Sequence, residues 1–400
     1  MNTVFDLLKT GLINSLVFFT FAFSACSGHN QPFSITSEFE SRPAKALLSE
    51  RHTRINQDQN NRYTHKQVLG DTLLAGFNPF TRKGIIDFIH LSDTSRSFKL
   101  KLVSGQSTLS IDAFYVHNLD SIFLLNANAK LIYIADFEGS VKSRFNLDQP
   151  ELYNYQILPF LPLKPIWNGT HLILNVRPIS LLENGRHLKE PQFVRFDPTN
   201  SNMELLGAMV EIADYLGSGE VNTDFYSPYY EIVNDFLYVL YPFYPYVFKI
   251  DLSSPSFEIK KFGLRSFLVE STTAPTSKKI HSDQFLNSVY RSESVTFSDL
   301  HFHNGLNLFS IVLMHPFESI DENGRLKSWK TRKSSLLVFD ENFESLCELE
   351  FDEGNLLLNS TIPFSTSLRT AVAIEDEKIK DSIHYYLNLE LSGLLEEGAN

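Results

Sequence analysis

Residues 111–147 constrain the fold more than any other stretch. They hold four short apolar runs broken by turn residues: IDAFYVHNL, DSIFLLNAN, AKLIYIAD and FEGSVKSRFNL. Phe114, Val116, Ile122, Leu124, Ile132 and Ile134 sit at alternate positions within their runs, which makes one face of each strand apolar. Asn118 and Asp120 break the first pair of runs, and residues 126–128 break the second. In the third turn, Asp136-Phe137-Glu138-Gly139, Asp opens and Gly closes, as a type I turn favours. The stretch predicts one four-stranded antiparallel sheet.

Its second half recurs. Phe193-Val194-Arg195-Phe196 leads into Asp197, Val247-Phe248-Lys249-Ile250 into Asp251, and Leu337-Val338-Phe339 into Asp340. Each time an apolar strand ends in an aspartate that opens a turn, and a second strand returns. One copy is only a hairpin. Several copies, spaced by roughly 50 to 90 residues, predict blades with loops of unequal length.

The expected fold is therefore all-β: a six-bladed β-propeller of four-stranded antiparallel blades. Blade one spans about 65–103, blade two is the template, blade three takes 161–207, blade four 226–263 and blade five 285–352. Blade six starts near 356 and runs out of chain before its fourth strand. The alternating run FSITSEF at 33–39 fits that vacancy, so an N-terminal strand is expected to close the last blade and remove exposed edges. Seven blades is the alternative, because blade five carries an extra pair of runs at 296–301 and 306–314. Residues 203–216 and 279–290 are each read as room for a short helix.

The N-terminus points to export. Residues 12–23 are mostly apolar but fall short of the ~20 residues a membrane span needs. Small Ser24 and Ala25 follow, then Cys26, the order of a signal peptide and its cleavage site. The division expected is a signal peptide at 1–25, a tether at 26–62 containing the closing strand, the propeller at 63–392 and a tail at 393–400. The other cysteine, Cys347, sits between Leu346 and the apolar positions that follow and reads as a small hydrophobe of a strand.

Net charge is −12 and spread along the chain, which argues against a nucleic-acid partner. The motifs HExxH, CxxC, G-x-x-x-x-G-K-[ST] and G-x-S-x-G are absent, as is an EF-hand loop. No catalytic residue, metal ligand or cofactor is assigned. His301 and His303 alternate on one strand and read as a solvated pair rather than as metal ligands. The tyrosines of blade four read as packing between blades.

Two loops share the sequence Glu-Asn-Gly-Arg, at 183–186 and 322–325. By propeller topology they lie on the face that carries the connections between blades. With Tyr290 and Arg291 they form the candidate ligand site: Arg186, Arg325, Tyr290 and Arg291. Guanidinium groups suit a carboxylate or sulfate. Surface pairing with Glu183 or Glu322, and ordinary Asn-Gly turn chemistry, is the plainer account.

The segment Phe23-Ser24-Ala25-Cys26 resembles a bacterial lipobox, in which the cysteine carries lipid. Together with the paired hairpins, Ser288-Val289-Tyr290-Arg291 and the run ENGRLKSWKTRKSSLLVFDENFESLCELEF, it resembles the TolB-like six-bladed β-propeller lipoproteins of unknown function found mainly in Bacteroidota. The resemblance implies lipidation at Cys26 and a cell-envelope location, with the outer membrane facing the periplasm as the expected site. It implies no activity. The function expected is a non-catalytic envelope lipoprotein that binds a small molecule, glycan or protein. The alternative is an envelope glycan hydrolase or lyase using acids in the propeller channel.

Overall fold

The structure is a computed structural model. It describes residues 65–77, 84–104, 107–118, 120–158, 165–179, 189–208, 227–254, 257–264, 266, 268, 283–327, 332–351, 361–371, 383–384 and 386–392, with the short segments 42–43, 48–49 and 55–56.

Six antiparallel sheets form the blades of a propeller. Blade one is built from His65–Leu69, Leu73–Phe77, Ile85–His90 and Phe98–Lys101. Blade two is the template, with strands Ala113–Asn118, Ser121–Asn126, Leu131–Ala135 and Val141–Asn146. In blade three the innermost position is shared by two short strands. Tyr155–Ile157 pairs with one end of Leu172–Pro178 and Ile166–Trp167 with the other, and Pro191–Phe196 and Met203–Ala208 complete the sheet. Residues 203–208 are thus strand, not helix: Leu205 and Leu206 pair with Val194 and Phe193 across the blade. Blade four holds Tyr229–Val233, Phe236–Leu240, Tyr246–Asp251 and Ile259–Gly263.

Blade five uses Thr296–His303, Leu308–Met314, Ser334–Phe339 and Ser345–Phe351. The extra runs at 296–301 and 306–314 are its two inner strands, which fixes the blade number at six. The helix Gln284–Glu293 precedes it, capped by Asp283, whose Oδ1 accepts from the backbone N–H groups of Phe285 and Leu286. Blade six consists of Thr361–Pro363, Ser367–Ala371 and Tyr386–Glu390.

The last blade is completed by an N-terminal strand, and that strand is Leu48–Ser49, paired antiparallel with Leu389 and Asn388. The alternating run at 33–39 lies outside the described residues, as do 1–25, Cys26 and 393–400. Arg42–Pro43 runs parallel to the outer edge of blade five, and Ile55–Asn56 pairs with Ile383–His384. Arg42–Pro43 and Leu48–Ser49 thus pair with the outermost strands of blades five and six, where main-chain pairing covers groups that would otherwise face solvent.

The aspartate turns behave as side-chain caps of their own hairpins. Oδ1 of Asp136 accepts from the N–H groups of Glu138 and Ser140, both at 3.0 Å. Asp340 does the same for Asn342 and Glu344, at 2.9 and 2.8 Å. Asp197 and Asp251 each cap a residue two further on, Thr199 and Ser253, at 2.8 Å. Hydrogen bonds from Thr199 and from Ser253 hold these two carboxyls below the usual aspartate range. Blade one has a fifth copy that its extra residues hide in the sequence: Asp93 caps Ser95 at 3.1 Å. Gly139, at the exit of the template turn, has φ +83°, and a Cβ there would meet the Lys101 carbonyl oxygen at 2.2 Å. The turn of blade two sits against the outer strand of blade one at that point.

The core is divided among the gaps between blades. One apolar cluster joins blades one and two (Phe88, Phe114), and others join two and three (Phe123, Phe196), three and four (Phe193, Tyr230), four and five (Tyr238, Phe309) and five and six (Leu336, Leu389). A smaller one, Leu74, Ile89, Ile362 and Phe364, joins six to one. Of the tyrosines of blade four, Tyr230, Tyr241 and Tyr244 are buried in the packing between blades three and four, as the sequence suggests. Cys347 is half-buried beside Leu346 against the cluster between blades five and six.

Arg332 anchors blade five to the chain entering it. The side chain is 5% exposed, and it donates to the backbone carbonyls of His315, Ser294, Arg291 and Met314. Burial lowers its pKa to about 10, well above neutrality, so it stays charged. Replacing it removes the donor that these carbonyls share. Arg332→Met is expected to lower unfolding stability by about 2–4 kcal/mol, read as a shift of the urea midpoint. An unchanged midpoint would show that solvent satisfies these carbonyls instead.

Candidate functional site

In each blade the first strand has a neighbour on one side only, so its free edge lines the central channel. The first strands contact one another in order around the ring, blade one following blade six. They enclose a cavity of ≈ 550 Å³, lined by residues of blades one, two, four, five and six. That volume suits a small-molecule ligand. The residues that line it include aromatic ones (Phe114, Tyr115, Tyr229, Tyr230, Phe302), charged ones (Lys66, Asp71, Glu231, Asp299) and His301.

A bulge places two of these groups. Across the inner hairpin of blade five, Ser298 pairs with Val312 and His301 with Ser310, so two residues face one. Asp299 has φ 52° within this bulge, an uncommon conformation for a residue with a side chain. Phe297, Leu300 and Phe302 all pack on the side facing blade four. The strand's alternation therefore slips by one residue at Asp299 and resumes beyond it. His301 and His303 point the other way, toward blade six.

The two histidines differ sharply, and neither is the solvated group that the alternation suggests. His303 is fully buried. Its Nδ1 is 2.7 Å from the Phe364 carbonyl oxygen and its Nε2 is 2.8 Å from Ser310 Oγ. A carbonyl can only accept, so Nδ1 carries the proton and Nε2 accepts from the serine. His301 lines the cavity. Its Nε2 is 2.8 Å from Thr361 Oγ1, while its Nδ1 has no hydrogen bond among the described residues and lies 3.8 Å from Glu231 Oε1. Glu231, His301 and Thr361 belong to blades four, five and six, so the three form a row around the channel wall.

Lys66, on the first strand of blade one, has its pKa lowered by burial and partly restored by Asp299. Burial pushes the Tyr115 hydroxyl up to about 12, with Glu231 adding to the effect. Glu231 thus reaches electrostatically to blades two and five. Gln67 ties the neighbouring wall: its Nε2 donates to the Val116 carbonyl and its Oε1 accepts from the Val116 N–H, both at 2.7 Å. At the seam, Asp71 accepts from the Ser365 N–H at 2.9 Å and from the Ser365 hydroxyl. Among the described residues no group of three or more potential ligands is placed to hold a metal.

The residues singled out from the sequence fall elsewhere. Arg186 lies outside the described residues. Tyr290 and Arg291 are in the last turn of the helix Gln284–Glu293, where the Tyr290 ring lies 6.2 Å from that of Phe243 and the Arg291 carbonyl accepts from Arg332. Arg325 is exposed in a turn capped by Asp321, whose Oδ1 accepts from the N–H groups of Asn323 and Arg325 at 2.9 and 2.8 Å. The second Glu-Asn-Gly-Arg loop is thus turn chemistry of the kind seen at the blade hairpins. Tyr290, Arg291 and Arg325 lie on the face where first strands begin, and none of them lines the cavity. The lining reaches the opposite face, at the turns holding Gly70, Asp71, Asn234, Asn304 and Ser365. Lys66, Glu231, Asp299 and Thr361 were not identified from the sequence. Their signal is a polar residue inside the first run of each blade: HKQVL, YYEIV, TFSDLHFH and TIP.

These features define a six-bladed propeller with a mixed-charge central cavity. No protein-family model matches the sequence, and no curated protein matches it. Solved structures do share the fold. A member of the DUF4221 family from Bacteroides vulgatus aligns with TM-score 0.66 at 12% identity, covering 86% of this chain and 97% of its own. A candidate exported protein from Bacteroides fragilis aligns with TM-score 0.54 at 10% identity, covering 90% of this chain and 98% of its own.

His303 makes stability depend on pH. Burial lowers its pKa from 6.5 to about 4, against a smaller opposing effect of the bond to Phe364. The folded state therefore holds the neutral ring while the unfolded chain takes up a proton. The contribution is complete above about pH 6.5 and falls by about 1.4 kcal/mol per unit below it, for a loss of about 3 kcal/mol by pH 4. Thermal melts from pH 7 to pH 4 are expected to show this decline, and His303→Gln should melt lower at pH 7 but decline less steeply. Equal slopes for the two proteins would assign the acid sensitivity to other groups.

Proposed function

We propose that this chain is an exported, lipid-anchored cell-envelope protein whose propeller binds a small polar ligand in its central channel. The observation that carries the binding reading is the cavity itself. It is bordered by the first strands of the blades and lined by aromatic and charged residues from five of them. Purely structural propeller centres have no need of Lys66, Glu231 and Asp299, because burying charge is costly. The order of apolar run, small residues and Cys26 supports export and anchoring, and the likeness to a candidate exported protein of Bacteroides fragilis agrees with it. Placement with the DUF4221 propellers, and the TolB-like lipoprotein label, belong to the same proposal. The outer membrane facing the periplasm is the site we favour. Nucleic acid is not a partner on this reading, given the net charge of −12.

A second reading, an envelope enzyme acting on glycans, draws on the row Glu231–His301–Thr361. There a hydroxyl lies within hydrogen-bond reach of an imidazole that a carboxylate approaches. The carboxylate contact, at 3.8 Å, is too long to orient the ring by a hydrogen bond, so binding is preferred.

Anchoring is tested by Cys26→Ser. Lipid attachment contributes about 0.8 kcal/mol per buried methylene, so several acyl chains hold firmly. The variant is expected in the soluble fraction and the parent in membranes; identical fractionation would remove the lipoprotein reading. Binding is tested by a thermal-shift screen of small polar compounds on the purified full chain. At least one saturable stabiliser is expected whose effect Tyr115→Ala weakens at least tenfold, and a screen without one would remove the channel as a binding site. Incubation with peptidoglycan and capsular glycans is expected to release no new reducing ends.

A further inference from the structure

The charged groups of the cavity wall already have partners inside it. Lys66 and Asp299, from blades one and five, attract one another. Glu231 acts on the Tyr115 hydroxyl and stands 3.8 Å from His301. Lys66, Glu231 and Asp299 have further interactions within the protein. Asp71 is bonded to Ser365 across the seam. A charged ligand would compete for these contacts, and drawing one partner away leaves the other charge unpaired in a partly buried site, which is strongly unfavourable. An uncharged ligand leaves them intact.

What the wall offers such a ligand is neutral. Tyr115, on the first strand of blade two, is half-buried, and its hydroxyl has no hydrogen bond among the described residues. Asn234 and Asn304 sit in the turns that follow the first strands of blades four and five, which are neighbours in the ring. Both are exposed, and neither side-chain amide has a hydrogen bond among the described residues. The turn of Asn304 is held from blade six, since the Gly305 N–H donates to the Ser365 carbonyl at 3.0 Å. Asn234 has φ 55°, a conformation that asparagine adopts more readily than most residues. A tyrosine hydroxyl and a primary amide each donate and accept. An apolar ligand would shut these groups off from water without replacing its hydrogen bonds. A sugar hydroxyl also donates and accepts, so it can answer each of them in either direction. The half-buried rings of Tyr115 and Phe302 add apolar surface for the C–H faces of a sugar ring.

We infer that the channel binds an uncharged carbohydrate, its hydroxyls met by Tyr115 on the wall and by Asn234 and Asn304 where the lining reaches the turns. This rests on the channel-binding reading given above and narrows it to one chemical class.

The test uses sugars matched in ring stereochemistry and differing in charge: the methyl glycosides of glucose, galactose and mannose, the corresponding 2-amino sugars and the corresponding uronates. Each is titrated into the purified full-length protein at neutral pH, by thermal shift and then by calorimetry. At least one neutral glycoside is expected to bind saturably, and the amino sugar and uronate that share its stereochemistry at least tenfold more weakly. Tyr115→Phe, which removes only the hydroxyl, should weaken that glycoside about three- to tenfold, the effect of one hydrogen bond, and Asn234→Ala and Asn304→Ala should each act similarly. Asn128→Ala, in an exposed turn on the opposite face, should leave binding unchanged. Each variant is first shown to melt cooperatively, and the two exposed asparagines remain decisive if Tyr115→Phe does not fold. Tighter binding of an amino sugar or a uronate than of every neutral glycoside would overturn the carbohydrate inference as drawn, and so would a glycoside whose affinity none of the three channel variants changes. No sugar bound, with other compounds of the thermal-shift screen stabilising the protein, would overturn it while leaving the channel as a binding site. No sugar bound and an empty screen would overturn the channel reading itself.

Discussion

Every blade of this protein has two apolar faces, and each must be covered by the next blade. That requirement organises the molecule. Each of the six gaps carries its own apolar cluster, and the ring is complete only when blade six meets blade one. At that last gap the described cluster has four buried residues, Leu74, Ile89, Ile362 and Phe364. Polar contacts supplement it there: the Asp71 carboxylate accepts from the Ser365 backbone and hydroxyl across the seam, and Leu48–Ser49 completes the sheet of blade six. Among the described residues this boundary has the smallest apolar cluster, and charge-assisted bonds, which are directional where dispersion is not, cross it.

Because blade faces are committed to packing, chemistry is confined to the channel wall. The same scarcity of water that makes a stray charge costly makes a placed charge effective. His303 and His301 show both outcomes two residues apart. One has both ring nitrogens satisfied within the protein and serves the fold. The other meets Thr361 with one nitrogen and leaves the second without a hydrogen bond among the described residues, at the edge of a cavity.

The fold was largely legible because its signals are local. Alternation in residues 111–147 and the aspartates at 136, 197, 251 and 340 mark hairpins whose bonds span only a few residues, and the structure shows those bonds. The number of blades was legible as well, once the long fifth blade was taken as one sheet. The closing strand was foreseen in kind but not in position, since a two-residue pairing such as Leu48–Ser49 leaves no periodicity to read. The channel residues were not legible. Lys66, Glu231, Asp299 and Thr361 come from blades one, four, five and six, and only ring closure brings them together. His301 and His303 looked alike by alternation, because sequence does not show that Phe364 and Ser310 enclose one ring and a cavity borders the other. The Glu-Asn-Gly-Arg repeat drew attention through its sequence likeness, yet the described copy is a capped turn on the far face.

The bulge in blade five carries a consequence for how such channels diversify. Phe297, Leu300 and Phe302 keep one face of the strand apolar on both sides of Asp299, so the inserted position is surplus to the packing. A chain lacking that one residue would alternate regularly and bury the same side chains against blade four. The acidic group is therefore modular: a single-codon insertion or deletion can add or remove it while the scaffold's buried residues stay as they are. Related propellers can then acquire different channel charges through changes in length, which a comparison of aligned substitutions alone would overlook.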